Sequence, residues 1–232
     1  LDCGDAALSV DFGNVIDPVV NARVMALDRA LTAAAVPGVI ECVPTYRALM
    51  VHFDPVTTDH DALCATIRRL VTHAYEADAP ARRWRVPVAY GGDHGIDLDS
   101  MATHAGLSPA AFIEAHAAPV YRVMMIGFLP GFAYLGGLPP ALARSRRDTP
   151  RPRIPPASIS IGGAQTAIGS VEGPSGWHLI GRTPALSFVP DRDPVFLFGP
   201  GDEIVFAPIS VAEYDRLAAR AAAGDLIAER LA

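Results

Sequence analysis

The residues best suited to chemistry in this chain are its arginines. All 19 basic residues are arginine and none is lysine. Five of them, Arg144, Arg146, Arg147, Arg151 and Arg153, fall within ten residues, offset there only by Asp148. Planar guanidinium forks so concentrated suit the capture of a carboxylate, a phosphate or an acidic partner, and a solvated loop is the plainer alternative. Arg151 and Arg153 lie among Pro150, Pro152, Pro155 and Pro156, which stiffen the backbone, so these two are the stronger candidates. The lack of lysine excludes a Schiff-base lysine and a lysine-containing phosphate loop.

Two glycine-rich stretches accompany the arginines. Gly127–Pro139 reads GFLPGFAYLGGLP, and Ile159–Pro184 carries Gly162-Gly163 next to Gln165-Thr166. Backbone amides freed by glycine, with an amide and a hydroxyl beside them, could hold an oxyanion; the spacing by itself favours a barrel corner. Phe128, Phe132, Tyr134 and Trp177 could wall a flat pocket, anchor an interface or fill a core. His116 follows Phe112 by four residues on an expected helix and reads as a packed imidazole or a general base. Ser175 lacks the second glycine of a nucleophile elbow, because Trp177 stands there. The seven histidines form neither HxxH nor HExxH, so no metal site is expected. Asp93, Asp97 and Asp99 lack the spacing of a calcium loop and suit capping of the next helix.

These residues need a scaffold, and the sequence indicates one. Ala6–Phe12 reads as a strand. Asp17-Pro18 starts a helix, with Val20, Val24, Leu27 and Leu31 on one face. Val39–Val43 and Tyr46–Phe53 read as strands, the second with Leu49, Val51 and Phe53 on one side. Thr58–Ala74 reads as a helix with a Leu63, Ile67, Leu70, Val71 stripe. The order β-α-β-β-α is the split βαβ, ferredoxin-like arrangement, with Trp84–Ala89 available as a closing strand. Asp78–Arg83 is the expected linker, giving domains at 1–82 and 83–232.

After it come a strand at Val86–Tyr90 and two short helices, the second opened by Ser108-Pro109. Residues 119–208 then hold 14 of the 21 prolines and 12 of the 20 glycines, so short strands and turns must dominate there. The apolar runs Tyr121–Ile126, Ile159–Ile161, Trp177–Ile180, Leu186–Val189, Val195–Phe198 and Glu203–Phe206 suggest a closed or nearly closed antiparallel barrel. Ser210–Ala223 is a final helix opened by a Ser210/Glu213 capping box. The fold class is therefore α+β.

A net charge of −6 gives no basic field for nucleic acid. No apolar run approaches a membrane span, and no signal-peptide pattern is visible. Cys3, Cys42 and Cys64 are scattered and fit buried free thiols in the cytoplasm.

Several motifs in order resemble the family of 5-oxoprolinase B subunits, also described as allophanate hydrolase subunit 1 or KipI-like proteins. They are Pro44–Pro55 (PTYRALMVHFDP), Val86–Gly92 (VPVAYGG), Met125–Pro139 (MIGFLPGFAYLGGLP), the Pro150-Arg151…Arg153…Pro155 element and Gly176–Pro184 (GWHLIGRTP). The resemblance implies a small α/β domain joined to a cyclophilin-like barrel. It implies a homologous C-type (KipA-like) partner, a separate A-type partner, and ATP-dependent opening of 5-oxo-L-proline to glutamate. This chain would then be inactive alone, with ATP handled by or shared with its partners. Alternatives within the resemblance are a carboxyltransferase half-site of a urea or allophanate enzyme and an inhibitor module for a histidine kinase.

The family's elements map, as a site or interface, onto Gly127, Pro130, Gly131, Phe132, Tyr134, Arg153, Gly163, Gln165, Thr166, Trp177, Arg182 and Thr183, and Arg151 joins them as a binding or interface candidate. Of these Arg153 and Gln165, with His116, are the catalytic candidates. The sequence departs from the family's form at Ala157 and at Ala167–Ser170.

Overall fold

The computed structural model describes residues 1–73 and 81–231. The chain divides into two compact units, Leu1–Pro80 and Ala81–Ala232. The expected linker, Asp78–Arg83, lies partly outside the described residues, and its last residue begins a strand.

The first unit runs β1 (Ala7–Asp11), α1 (Pro18–Ala34), β2 (Val39–Pro44), β3 (Ala48–Phe53) and α2 (His60–His73). Its sheet has the order β1-β3-β2, antiparallel throughout. The Asp17 carboxylate accepts from the amides of Val19 (2.7 Å) and Val20 (3.1 Å), and Pro18 occupies the first turn, so α1 starts where a cap and a preset φ coincide. Leu49, Val51 and Phe53 point into the core, meeting Val24, Leu27 and Leu31 of α1 and Leu63 and Ile67 of α2. Val20 is only half-buried; the next residue, Asn21, is buried instead, its amide donating to the Thr45 carbonyl at 3.1 Å.

The second unit begins with β4 (Arg83–Tyr90), α3 (Leu98–Ala105), α4 (Pro109–Ala117), β5 (Val120–Ile126) and β6 (Ala133–Gly136). It continues with β7 (Arg151–Ile154), β8 (Ser158–Gly162), β9 (Gln165–Ile168), β10 (Gly173–Ser175) and β11 (His178–Arg182), then β12 (Glu203–Pro208), α5 (Val211–Ala222) and β13 (Glu229–Leu231). Seven strands close a barrel in the order β11-β8-β9-β6-β5-β12-β4, with Gly181 and Arg182 of β11 returning to Tyr90 and Ala89 of β4. β7 and β10 form a separate two-stranded ribbon. Every barrel pair is antiparallel except β4 and β12, which run parallel. The core alternates along the strands, as at Val86 and Val88, Tyr121 and Val123, Ile159 and Ile161, and Ile204 and Phe206.

Four expectations change. Trp84–Ala89 does not close the first sheet; it is the middle of β4 and belongs to the barrel. Leu186–Val189 and Val195–Phe198 are not strands: Pro190 and Pro194 remove ladder donors, and the two runs meet only at the Phe188–Phe196 bridge. The Ser210 hydroxyl caps α5 by accepting from the Glu213 amide, but the Glu213 carboxylate turns to Arg216, so the box is half made. The thiols are free, yet Cys3 is exposed and Cys42 and Cys64 are half-buried.

One buried carboxylate fastens β4 to β12. Asp202 accepts from Arg82 Nε (2.8 Å) and Nη2 (2.6 Å), Trp84 Nε1 (3.1 Å) and the Gly199 amide (2.9 Å). Removing it orphans the Trp84 Nε1–H and the Gly199 amide and leaves the part-exposed Arg82 guanidinium to water. Asp202→Ala is expected to lower unfolding stability by about 3 kcal/mol, whereas Glu203→Ala, at the exposed pair with Arg83, is expected to cost less than about 1 kcal/mol. Urea denaturation of both variants measures the difference.

Candidate functional site

The β5–β6 connection, the arginine segment and the turn before β11 enclose a cavity of about 290 Å³. Its walls are Phe128, Phe132, Tyr134 and Trp177, with Arg146 and Arg147 on one side and Ser175 in the turn before Trp177. The rings form a continuous surface. Phe132 and Tyr134 centroids are 4.7 Å apart, Tyr134 and Trp177 5.7 Å, and Phe128 meets Phe132 edge-on at 5.8 Å. The Arg146 guanidinium lies 5.9 Å from the Trp177 ring centre, within cation–π range.

Glycine makes this wall possible at two points. A Cβ on Gly162 would stand 2.4 Å from Trp177 Cδ2, so the indole packs directly on bare backbone. Gly131 has φ +73°, and a Cβ there would meet Phe188 Cβ at 2.7 Å. Phe128 takes the left-handed conformation without glycine's licence, at φ 71°, and is 63% exposed. A bulky residue there costs on the order of 1–3 kcal/mol, and the cost holds an aromatic ring at the cavity mouth.

The arginine segment is pinned along its length. Arg144 exchanges backbone hydrogen bonds with Gly163 at 3.2 and 2.7 Å, the Arg147 amide donates to Gly176 O at 2.7 Å, and His178 Nε2 meets Ser145 O at 2.9 Å. Behind it lies Asp97. Its carboxylate accepts two bonds of 2.8 Å from Arg151, one of 2.8 Å from the Leu179 amide and one of 3.5 Å from Arg147. Burial alone would raise the Asp97 pKa. The hydrogen bonds from Arg151 and Leu179 and the charges of Arg151 and Arg147 outweigh it and hold the pKa below 3.8. Asp97 therefore does not cap α3 through its side chain, as its position suggested; a stronger set of donors has claimed it.

The expected site residues separate into three groups. Phe132, Tyr134 and Trp177 come together in the cavity wall, and Gly127, Pro130 and Gly131 shape the turn that presents Phe128 and Phe132, with the Gly127 amide bonded to Phe132 O at 3.1 Å. A second group is structural. His116 is fully buried and stacks on Phe206 at 5.0 Å. Thr166 donates its hydroxyl proton to Ser160 O (3.0 Å), so it accepts from His116 Nε2 (3.1 Å) and leaves Nδ1 to accept from the Tyr90 hydroxyl (2.9 Å). Burial holds His116 down to about 3. A neutral imidazole with both nitrogens engaged inside the core does not reach a substrate as a general base. The Gly163 amide is likewise spent on Arg144, which leaves Gly162-Gly163 as a hairpin corner rather than an oxyanion cradle. Arg151 is committed to Asp97.

The third group lies outside the cavity wall. Arg153 is exposed beside Glu172 at 3.3 Å. Arg182 bonds Pro156 O and lies over Tyr214, and Thr183 is buried, accepting from the Ala185 amide. Gln165 stands in register with Gly162 at the start of β9. The arginines that do wall the cavity, Arg146 and Arg147, ranked behind Arg151 and Arg153 in sequence. Proline flanks both Arg151 and Arg153, yet Arg151 is paired with Asp97 and Arg153 stands at the surface. Among the described residues, no three His, Cys, Asp or Glu side chains are placed to hold a metal ion.

The family described as "Carboxyltransferase domain, subdomain C and D" matches residues 1–198. The B subunit of the Bacillus subtilis (strain 168) 5-oxoprolinase is 35% identical over 222 residues, covering 91% of this chain and 92% of that protein. The solved structure of TTHA0988 superimposes with a TM-score of 0.79 at 34% identity over 88% of this chain; the chain spans 40% of that one. The K. lactis urea amidolyase superimposes with a TM-score of 0.84 over 99% of this chain and 16% of that chain, at 18% identity, a likeness of fold.

The Asp97 cluster carries a pH signature. With its folded pKa depressed, Asp97 contributes its full stability above the unfolded value of 3.8 and loses it as pH falls through the lower folded value. Asp97→Asn is therefore expected to melt well below wild type at neutral pH, the gap shrinking only below about pH 4. Thermal melts across pH 2–7 check this; a gap that narrows already at pH 6 would place the titrating group elsewhere.

Proposed function

The chain belongs to the carboxyltransferase-domain family, and from that premise we propose that it is the B-type component of a 5-oxoprolinase, seating 5-oxo-L-proline in the aromatic cavity. The observation that carries this reading is the pairing of flat aromatic walls with the Arg146 guanidinium. The substrate is a flat five-membered lactam bearing one carboxylate. Ring faces suit the lactam, and a guanidinium fork suits the carboxylate. Burial, partly offset by the Arg146 charge, raises the Tyr134 pKa, so its phenol stays protonated at neutral pH.

Among the described residues, the cavity lining contains no carboxylate and no imidazole, so it offers a binding surface without a general base. An unactivated lactam also needs activation before water can open it. In the proposed reaction the lactam oxygen takes a phosphoryl group from ATP, releasing ADP. Water adds to the activated carbon, the ring C–N bond breaks to give the amine, and a second water releases phosphate from the acyl phosphate. The homologous C-type partner and the A-type partner would supply the base and handle ATP, and the complex would work in the cytoplasm. Among the described residues no helix is long and apolar enough to cross a membrane.

A second reading, a carboxyltransferase half-site for urea or a related amide, draws on the family's description. Urea is small and carries no carboxylate of its own, so in that reading Arg146 would meet only the transferred carboxyl group; the lactam, which brings a flat ring and a carboxylate together, is preferred.

In an assembled mixture with the C-type and A-type partners, Arg146→Gln is expected to raise the KM for 5-oxoproline about tenfold or more, while Arg153→Gln behaves as wild type. Steady-state ATP hydrolysis dependent on 5-oxoproline reads both. Full turnover by this chain alone would sink the proposal, and so would no turnover in a mixture shown to assemble.

A further inference from the structure

The two arginines that wall the aromatic cavity face a second hollow as well. Arg146 and Arg147 line a neighbouring space of about 440 Å³ whose other walls include Arg144, His104, His178 and Asp148. Three guanidiniums thus meet one carboxylate there. Among the described residues neither Arg144 nor Arg146 forms an ion pair: Arg144 donates to Ser100 O at 3.1 Å, and Arg146 lies over Trp177. Arg147 touches Asp97 at 3.5 Å, but its Nε–H is buried without a hydrogen-bond partner. Such a donor is costly to leave unmet.

This concentration of charge is built rather than incidental. The backbone bonds of Arg144 to Gly163 and of Arg147 to Gly176, with His178 on Ser145 O, fix the segment from three sides. A solvated loop of like charges would be free to spread them apart; this segment is fixed, and its three arginines line one hollow. Burial first, with the Arg144 and Arg147 charges adding to it, keeps His178 below its ordinary value even though the hydrogen bond to the Ser145 carbonyl and the Asp97 charge pull the other way, so the imidazole adds no charge near neutrality.

We propose that this hollow is a phosphoryl subsite, binding a dianionic phosphate group through Arg144, Arg146 and Arg147. A monocarboxylate needs one guanidinium fork; a tetrahedral dianion uses two or three. The assignment to lactam activation rests on the function proposed above: a ring in the aromatic cavity and a phosphoryl group in this hollow would share Arg146 and Arg147. The binding itself does not rest on it. The group has two sources with one chemistry, the terminal phosphate of a nucleotide or free phosphate released by the reaction.

The test is calorimetric titration of the full chain with inorganic phosphate, and separately with a non-hydrolysable ATP analogue, without 5-oxoproline or partner proteins. Saturable phosphate binding is expected, weakened about tenfold or more in Arg144→Gln, largely kept in Arg144→Lys and unchanged in Arg153→Gln. Arg146→Gln, at an exposed side chain, gives the same loss should Arg144→Gln fail to fold. Competition by the analogue assigns the site to a nucleotide; binding of phosphate alone assigns it to the released product. No saturable binding, or equal affinity in Arg146→Gln and Arg153→Gln, overturns the proposal. Phosphate binding that persists in a system with no lactam turnover would overturn the proposed reaction and leave the subsite standing.

Discussion

A buried carboxylate must be surrounded by donors or it will not stay charged, and Asp97 imposes that demand on the arginine face of the barrel unit. It stands just before α3, and its donors come from β7 and β11, 54 and 82 residues further along the chain. Taking one charge out of water costs several kcal/mol unless its partners are fixed. Satisfying it requires the arginine-rich segment to pass beside β11. Once it does, Arg147 stands next to Asp97, Arg144 pairs its backbone with Gly163, and Arg146 is left over the indole of Trp177. The site is thus positioned by electrostatics behind the cavity as much as by the strands around it.

The same logic separates polar groups that hold the fold from those left for a ligand. His116 and Thr166 have the residue types of a catalytic pair, yet each of their donors and acceptors is used inside the core in a chain running from Tyr90 to the Ser160 carbonyl. Arg151 has spent its guanidinium on Asp97. Among the described residues, Arg146 lies over an aromatic face without an ion pair, and Arg147 keeps one N–H unmet. Unspent hydrogen-bonding capacity beside a cavity, rather than residue type, distinguishes the second pair.

Much of this fold is local information and was legible. The Asp17-Pro18, Ser108-Pro109 and Ser210 caps mark helix starts because the capping bonds span two or three residues. Leu49, Val51 and Phe53 reveal β3 because burial follows the strand's period of two. What sequence could not place depends on distant partners. β6 and β9 hide inside glycine-rich stretches, and their apolar runs are too short to read without the neighbours they pair with. Trp84–Ala89 has strand character that two sheets could use, and the parallel pairing with β12, some 120 residues away, decides between them. The aromatic half of the site was visible as a cluster of types. Which arginines wall the cavity is not legible, because nothing near Arg151 in sequence announces Asp97.

The division of the site carries a consequence for how it can work. A surface of rings and guanidiniums stabilises anions and flat groups equally before and during reaction, which is uniform binding and gives little acceleration by itself. Acceleration requires donors or charges aimed at what develops only in the transition state, together with a group that moves a proton. Among the described residues, the lining of this cavity supplies cations for binding and no group that moves a proton. Arg146 and Arg147 border both hollows, so charge that shifts from one occupant to the other stays within reach of the same two guanidiniums. An arrangement of that kind is suited to holding two reacting groups side by side while a base is brought from outside the cavity. Under the function proposed above, this cavity supplies binding and the proton transfer comes from outside it.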